Sequence, residues 1–213
     1  MALGTATAPY EMRFDAGRIC LDLLATTHPE ERFGSLAPLC AWITRSGLVP
    51  PGTPLTHADG SWLAGFRELR AQTGRLVHGC LSAPARPYDP APARPHELAP
   101  VRPYELALAC VNEFARPAPP VPRAVRTEDG TLVRELDGPP ECAALLAAVA
   151  RDCVELLTDP VARAGLRQCE GDNCPIVYLD TSRGGRRRWC SSEVCGNRER
   201  VARHRRRAAL TQA

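Results

Sequence analysis

Apolar residues recur at helical spacing through the first three-quarters of the chain. Leu36, Leu39, Trp42 and Ile43 share one face of a helix predicted over residues 35–47, with Gly47 placed to stop it. Trp62, Phe66, Leu69, Leu76 and Leu81 repeat the pattern over 61–81. A third stripe, Leu145, Val149, Cys153 and Leu156/Leu157, is opened by Pro139-Pro140 and ended by Asp159-Pro160. A further helix is expected over 104–115. Residues 14–27 are also apolar, but their period does not decide between strand and helix. Residues 124–128 and 131–136 flank Asp129-Gly130, a two-residue turn signal, and read as a hairpin.

The segments between are polar or rich in proline. Residues 1–13 read as a disordered lead-in without the charged-then-apolar order of a signal segment. Residues 83–106 are three tandem octapeptides of the form Ala-Pro-Ala/Val-Arg-Pro-Tyr/His-Asp/Glu-Pro/Leu. Their prolines favour extended chain. They read as an insertion in a surface loop rather than a partner-docking strip. The longest apolar run, 142–150, falls far short of the roughly 20 residues that span a bilayer, so no membrane association and a cytoplasmic location are expected.

Charge divides the chain. All 27 basic residues are arginine, and the overall net charge is only +3. Residues 1–166 hold 16 Arg against 19 Asp and Glu, whereas residues 167–213 hold 11 Arg against 5. The absence of lysine is what a GC-rich genome produces without selection on function. Its physical consequence holds regardless, since arginine stays charged and forks onto phosphate.

Ten cysteines occur in the chain. Six are scattered singly through apolar segments and read as small buried hydrophobes. The other four, Cys169, Cys174, Cys190 and Cys195, form C-x4-C-x15-C-x4-C. Two close pairs around an excursion supply the tetrahedron of soft ligands that one structural Zn²⁺ requires; disulfides or free thiols are the alternative. Gly171 and Asp172-Asn173 suit the first loop. Between the pairs, a strand over 176–179, a turn over 182–186 and a return strand over 187–189 are predicted. Ser192 is expected to cap a helix over 192–210 that carries Cys195 in its first turn. Knuckle, hairpin and helix together make a treble-clef-like finger.

On that helix, Val194, Val201, Ala202, Ala208 and Arg205 are expected on the metal-and-core side. Arg200, Arg203 and Arg207 fall on the solvent side. With Arg183, Arg186, Arg187 and Arg188 of the hairpin they would form a phosphate-tracking surface. Arg198 is expected to pair with an acidic group or carbonyl, Trp189 to cover the metal site, and Gly196 to support the finger. Asn197 could cap, brace or contact a base.

These residues carry a resemblance. Asp180-Thr181-Ser182-Arg183, then Trp189-Cys190-Ser191, then Cys195-Gly196-Asn197-Arg198 is similar to the bacterial CGNR zinc-finger family. In that family the finger follows an ABATE-type domain, described as a stress-induced transcription regulator. The hallmark Leu-Asp-Leu-Val-Asn-Thr resembles Leu21-Asp22-Leu23-Leu24-Ala25-Thr26, with alanine in place of asparagine at 25. The resemblance implies an ABATE-like helical domain over 14–160 and a CGNR-type finger over 167–210, an α+β chain overall.

The expected function is a zinc-finger DNA-binding regulator of transcription. Its N-terminal domain would sense an unidentified effector or dimerise, since so small a finger needs two copies for useful specificity. The alternative is a protein-interaction or thiol-redox switch module. No enzyme is expected: a centre closed by four cysteines leaves no coordination position for a substrate water.

Overall fold

The computed structural model describes residues 12–82 and 103–211, with side chains through 207. The octapeptides lie outside the described residues, except that the last one runs into α4 (Pro103–Ala115). The body is helical: α1 (Ile19–Leu24), α2 (Leu36–Arg45), α3 (Gly60–Ser82), α4, α5 (Cys142–Thr158) and the short α6 (Pro160–Ala164). The hairpin β1 (Pro122–Arg126) and β2 (Leu132–Leu136) stands on its surface. The finger adds β3 (Leu166–Gln168), β4 (Val177–Leu179), a π-helical turn over Ser192–Gly196 and α7 (Asn197–Thr211). The expected α+β class is the one observed. Among the described residues, no helix is long and apolar enough to cross a membrane.

The 23-residue α3 is the spine, with α1, α2, α4 and α5 packed around it. Trp42 is its aromatic hub: fully buried, it meets Phe33 and Phe66 edge-on at 5.9 Å each. The ambiguity of residues 14–27 now has a cause. Cys20, Leu21, Asp22 and Leu23 of α1 are all buried, so the helix has no solvent face to give it a period. A 3-10 turn, Ala25–Thr27, continues it. The Asp129-Gly130 turn is wider than its two-residue signal. Thr127 N–H donates to the Thr131 carbonyl at 2.9 Å, and Gly130 takes φ +86°, giving a three-residue loop with glycine in the left-handed position.

Asp22 fixes the chain entry to α1. Its Oδ1 accepts the Ala16 N–H at 3.0 Å, yet burial outweighs that bond and raises the carboxyl to about 7. An acid whose folded pKa lies above its unfolded value binds its proton more tightly when folded. Its contribution to stability is therefore complete below about pH 4 and is lost as pH rises towards 7. Asp22→Asn, which keeps an acceptor without the charge, should gain stability relative to the natural chain between pH 5 and pH 8. Urea unfolding of both proteins at each pH checks this, because the pH dependence of the cysteine cluster is common to the two and cancels. A stability gap that does not change with pH would refute it.

Candidate metal centre

The first cysteine pair forms the turn of a hairpin. β3 and β4 pair antiparallel, Leu166 opposite Leu179 through Gln168 opposite Val177, and Cys169 N–H closes on the Ile176 carbonyl at 2.9 Å. Cys169 and Cys174 sit in the connecting knuckle, where Asn173 adopts φ +56°. A Cβ on Gly171 would lie 3.2 Å from Cys195 Cβ and 3.4 Å from the Sγ atoms of Cys169 and Cys195. With glycine there the knuckle closes against the second pair without crowding it; a side chain would have to push Cys195 by a few tenths of an ångström.

The hairpin predicted between the two pairs does not form. One edge of β4 is paired with β3, and on its other side Leu179 N–H donates to the Ala16 carbonyl at 2.8 Å. The return arm is held mostly by side chains, with one backbone bond to the knuckle. Asp180 accepts Ser182 N–H at 2.9 Å and Arg187 N–H at 3.0 Å, and Glu170 N–H donates to the Arg188 carbonyl at 2.9 Å. Tyr178 donates its hydroxyl to the Arg187 carbonyl.

The four sulfurs of Cys169, Cys174, Cys190 and Cys195 lie within 4.8 Å of one another, and all four residues are buried. Cys190 Sγ is 3.6 Å from Cys174 Sγ and 3.5 Å from Cys195 Sγ. Contact with Cys174 and burial push the Cys190 thiol up, and burial raises Cys195 to about 11. Four buried sulfurs this close carry their thiolate charge together only around a dication, so the donor set fits one structural Zn²⁺. Backbone donors already face the sulfurs: Gly171 N–H at 3.4 Å and Cys190 N–H at 3.3 Å to Cys169.

Cys195 arrives on the π-helical turn. The cap is Ser191 rather than the expected Ser192: its Oγ accepts the Glu193 and Val194 N–H groups at 3.2 Å. Asn197 braces this turn, donating Nδ2 to the Glu193 carbonyl at 2.7 Å. Gly196 is buried, and a Cβ there would meet Trp189 Cε3 at 3.7 Å, so the indole covers the turn that carries the last ligand.

The arginines separate into two sets. Arg187 is structural: it lies 4.6 Å over the Tyr178 ring and donates to the carbonyls of Trp189 at 2.9 Å, Asp15 at 3.1 Å and Cys190. Arg200 folds back onto the Gly196 and Ser192 carbonyls at 3.3 and 3.2 Å. Arg188 pairs with Glu170 at 2.6 Å. Arg183, Arg186, Arg198, Arg203 and Arg207 are exposed. Val201, expected on the core side, is 50% exposed, so the core does not extend along α7 to it.

Sequence reasoning missed Arg13, which it placed in the lead-in. Its Nη1 donates to Cys190 Sγ at 3.2 Å while Nη2 pairs with Asp15 at 2.7 Å. No spacing rule links residues 177 positions apart. The local signal was slight: an arginine between two acids, Glu11 and Asp15.

Residues 17–160 match the ABATE family, whose description reads "Putative stress-induced transcription regulator", and residues 166–208 match the CGNR zinc finger. No curated protein matches the chain.

Purified protein should carry one zinc per chain, and Cys190→Ser should abolish that stoichiometry. Arg13→Gln should retain the metal but weaken its affinity by about 10–100-fold, as loss of a donor to a ligand does. Chelator competition measures both. An Arg13→Gln protein holding zinc as tightly as the natural chain would show that the contact plays no part at the centre.

Proposed function

We propose, for a chain that belongs to the ABATE family and ends in a CGNR zinc finger, that it is a cytoplasmic DNA-binding regulator of transcription. The helical body would serve as the sensing or dimerising unit, and the finger as the part that grips phosphate. The observation that carries this reading is α7. It holds six arginines between 198 and 207, and no residue from 197 to 207 is buried. A helix that buries so little gains little from its own body. A polyanion laid along it would neutralise most of its charge.

The exposed arginines offer donors in the loop and along α7. Arg183 and Arg186 occupy the loop, Arg188 lies 5.3 Å over the Trp189 ring, and Arg203 and Arg207 lie along α7. Arg187 and Arg200, with their donors turned inward, shape the surface without adding to its charge contacts. About five arginine–phosphate contacts release enough counterion to give a log–log salt slope of roughly −4.5 on duplex DNA. They carry no sequence information, so useful specificity would come from two chains on one site.

The oxidative-switch reading gains little support here, because all four sulfurs are buried and oxidation favours exposed thiolates.

Fluorescence anisotropy with labelled duplexes, titrated across salt concentrations, tests the proposal. Arg203→Gln with Arg207→Gln should flatten the slope by about 2 and weaken binding to every sequence alike. Arg187→Gln should instead lower the melting temperature of the finger. Absence of salt-sensitive binding to any duplex or single strand would end the DNA-binding reading.

A further inference from the structure

We infer that the seam between the helical body and the finger is a ligand site for an organic carboxylate with a compact apolar body. The inference rests on the sensing role proposed above and gives it a place. Its basis is a cavity of about 410 Å³, within the range of small-molecule sites.

On the body side, Arg67, Ala71, Gly74 and His78 follow one another along α3 at helical spacing. Leu24, Ala25 and His28 come from the end of α1 and the turn after it. Across from them stand Pro175, Ile176 and Val177, the residues that join Cys174 to β4. The space exists because Ala71 and Gly74 offer no bulk. A Cβ on Gly74 would only just touch Leu24, at 3.5 Å from Cδ2. The walls near Leu24, Ile176 and Val177 are apolar and suit a ring or short hydrocarbon chain.

The charge of the lining selects an anion. Among the described residues, no carboxylate lines the cavity. Arg70 is already engaged, by Glu31 at 2.5 and 2.9 Å and Thr26 Oγ1 at 2.7 Å. Arg67 is different: exposed, it gives a hydrogen bond to the Phe33 carbonyl and leaves part of its fork facing solvent. His28, on the same lining, has three arginines in its surroundings. Burial and the nearby charges of Arg13, Arg198 and Arg32 hold its imidazole below the usual range. A lining group with these cations nearby lies where a carboxylate would be welcome.

An occupant would touch α1, α3 and the chain next to Cys174 at once. It could therefore favour one placement of the finger over another, as a ligand with differential affinity must.

The test uses full-length zinc-loaded protein and 1-naphthoate, with 1-naphthalenemethanol as the neutral counterpart, followed by calorimetry. Naphthoate should bind saturably, one per chain, at least tenfold more tightly than the alcohol. Arg67→Gln should bring the acid down to the alcohol's affinity, and Ala71→Phe should abolish binding of both. Arg75→Gln, exposed on the same helix but outside the lining, serves as the control and should leave both affinities unchanged. Naphthoate should also shift the DNA dissociation constant at least threefold in the natural chain and not in Ala71→Phe. No saturable binding, equal affinity for acid and alcohol, or indifference to both lining variants would overturn the site. Binding without any shift in DNA affinity would overturn its effector role. Loss of the site with salt-sensitive DNA binding intact would leave the DNA reading standing, whereas failure of every protein to bind DNA would remove that reading alone.

Discussion

Four thiolates cannot be crowded together without a dication to hold them, and the last third of the chain depends on that constraint. The finger buries Leu166, Ile176, Val177, Tyr178 and Leu179, too small a set to order some 45 residues carrying 11 arginines. Metal binding supplies what the core lacks, so the free energy of the zinc–thiolate bonds is largely the folding free energy of the module. The knuckle glycine, the Ser191 cap and the indole over Gly196 are arranged around it. Only with that scaffold rigid can the arginines of the loop and of α7 hold fixed positions against like-charge repulsion.

The features legible in the sequence were those set by local spacing. Helices α2, α3 and α5 follow from stripes such as Leu39–Trp42–Ile43, because each has one wet face. The metal ligands follow from two equal cysteine gaps. Long-range pairing was not legible. The second edge of β4 is met by Ala16, and nothing near residue 179 announces a partner 163 positions earlier. The predicted return strand over 187–189 looked sound by composition but had no free edge to join. The same blindness placed Arg13 in the lead-in and counted Arg187 among the phosphate contacts, although its donors turn inward to three carbonyls.

The arginine-only composition acquires a second meaning from this division of labour. A forked, permanently charged side chain can satisfy several carbonyls at once, and Arg187, Arg200 and Arg151 all do so. Lysine, a point charge with a strong hydration shell, would serve poorly in those positions. Arginine therefore works here both as mortar within the finger and as an electrostatic surface outside it, and net charge alone does not separate the two.

The two junctions between body and finger are both pinned. Ala16 accepts from Leu179, Gly17 meets Leu179 at close range, and Gly165 accepts Asp180 N–H at 2.9 Å a few residues after α5 ends. The module is thus not a bead on a tether, searching a volume set by linker length. It is held at both ends, so in any pairing of two chains the distance between their basic helices would follow from how the bodies meet and from the placement of the finger that a seam ligand favours. Such an assembly would measure half-site separation as a ruler does, tolerating altered bases more readily than inserted ones.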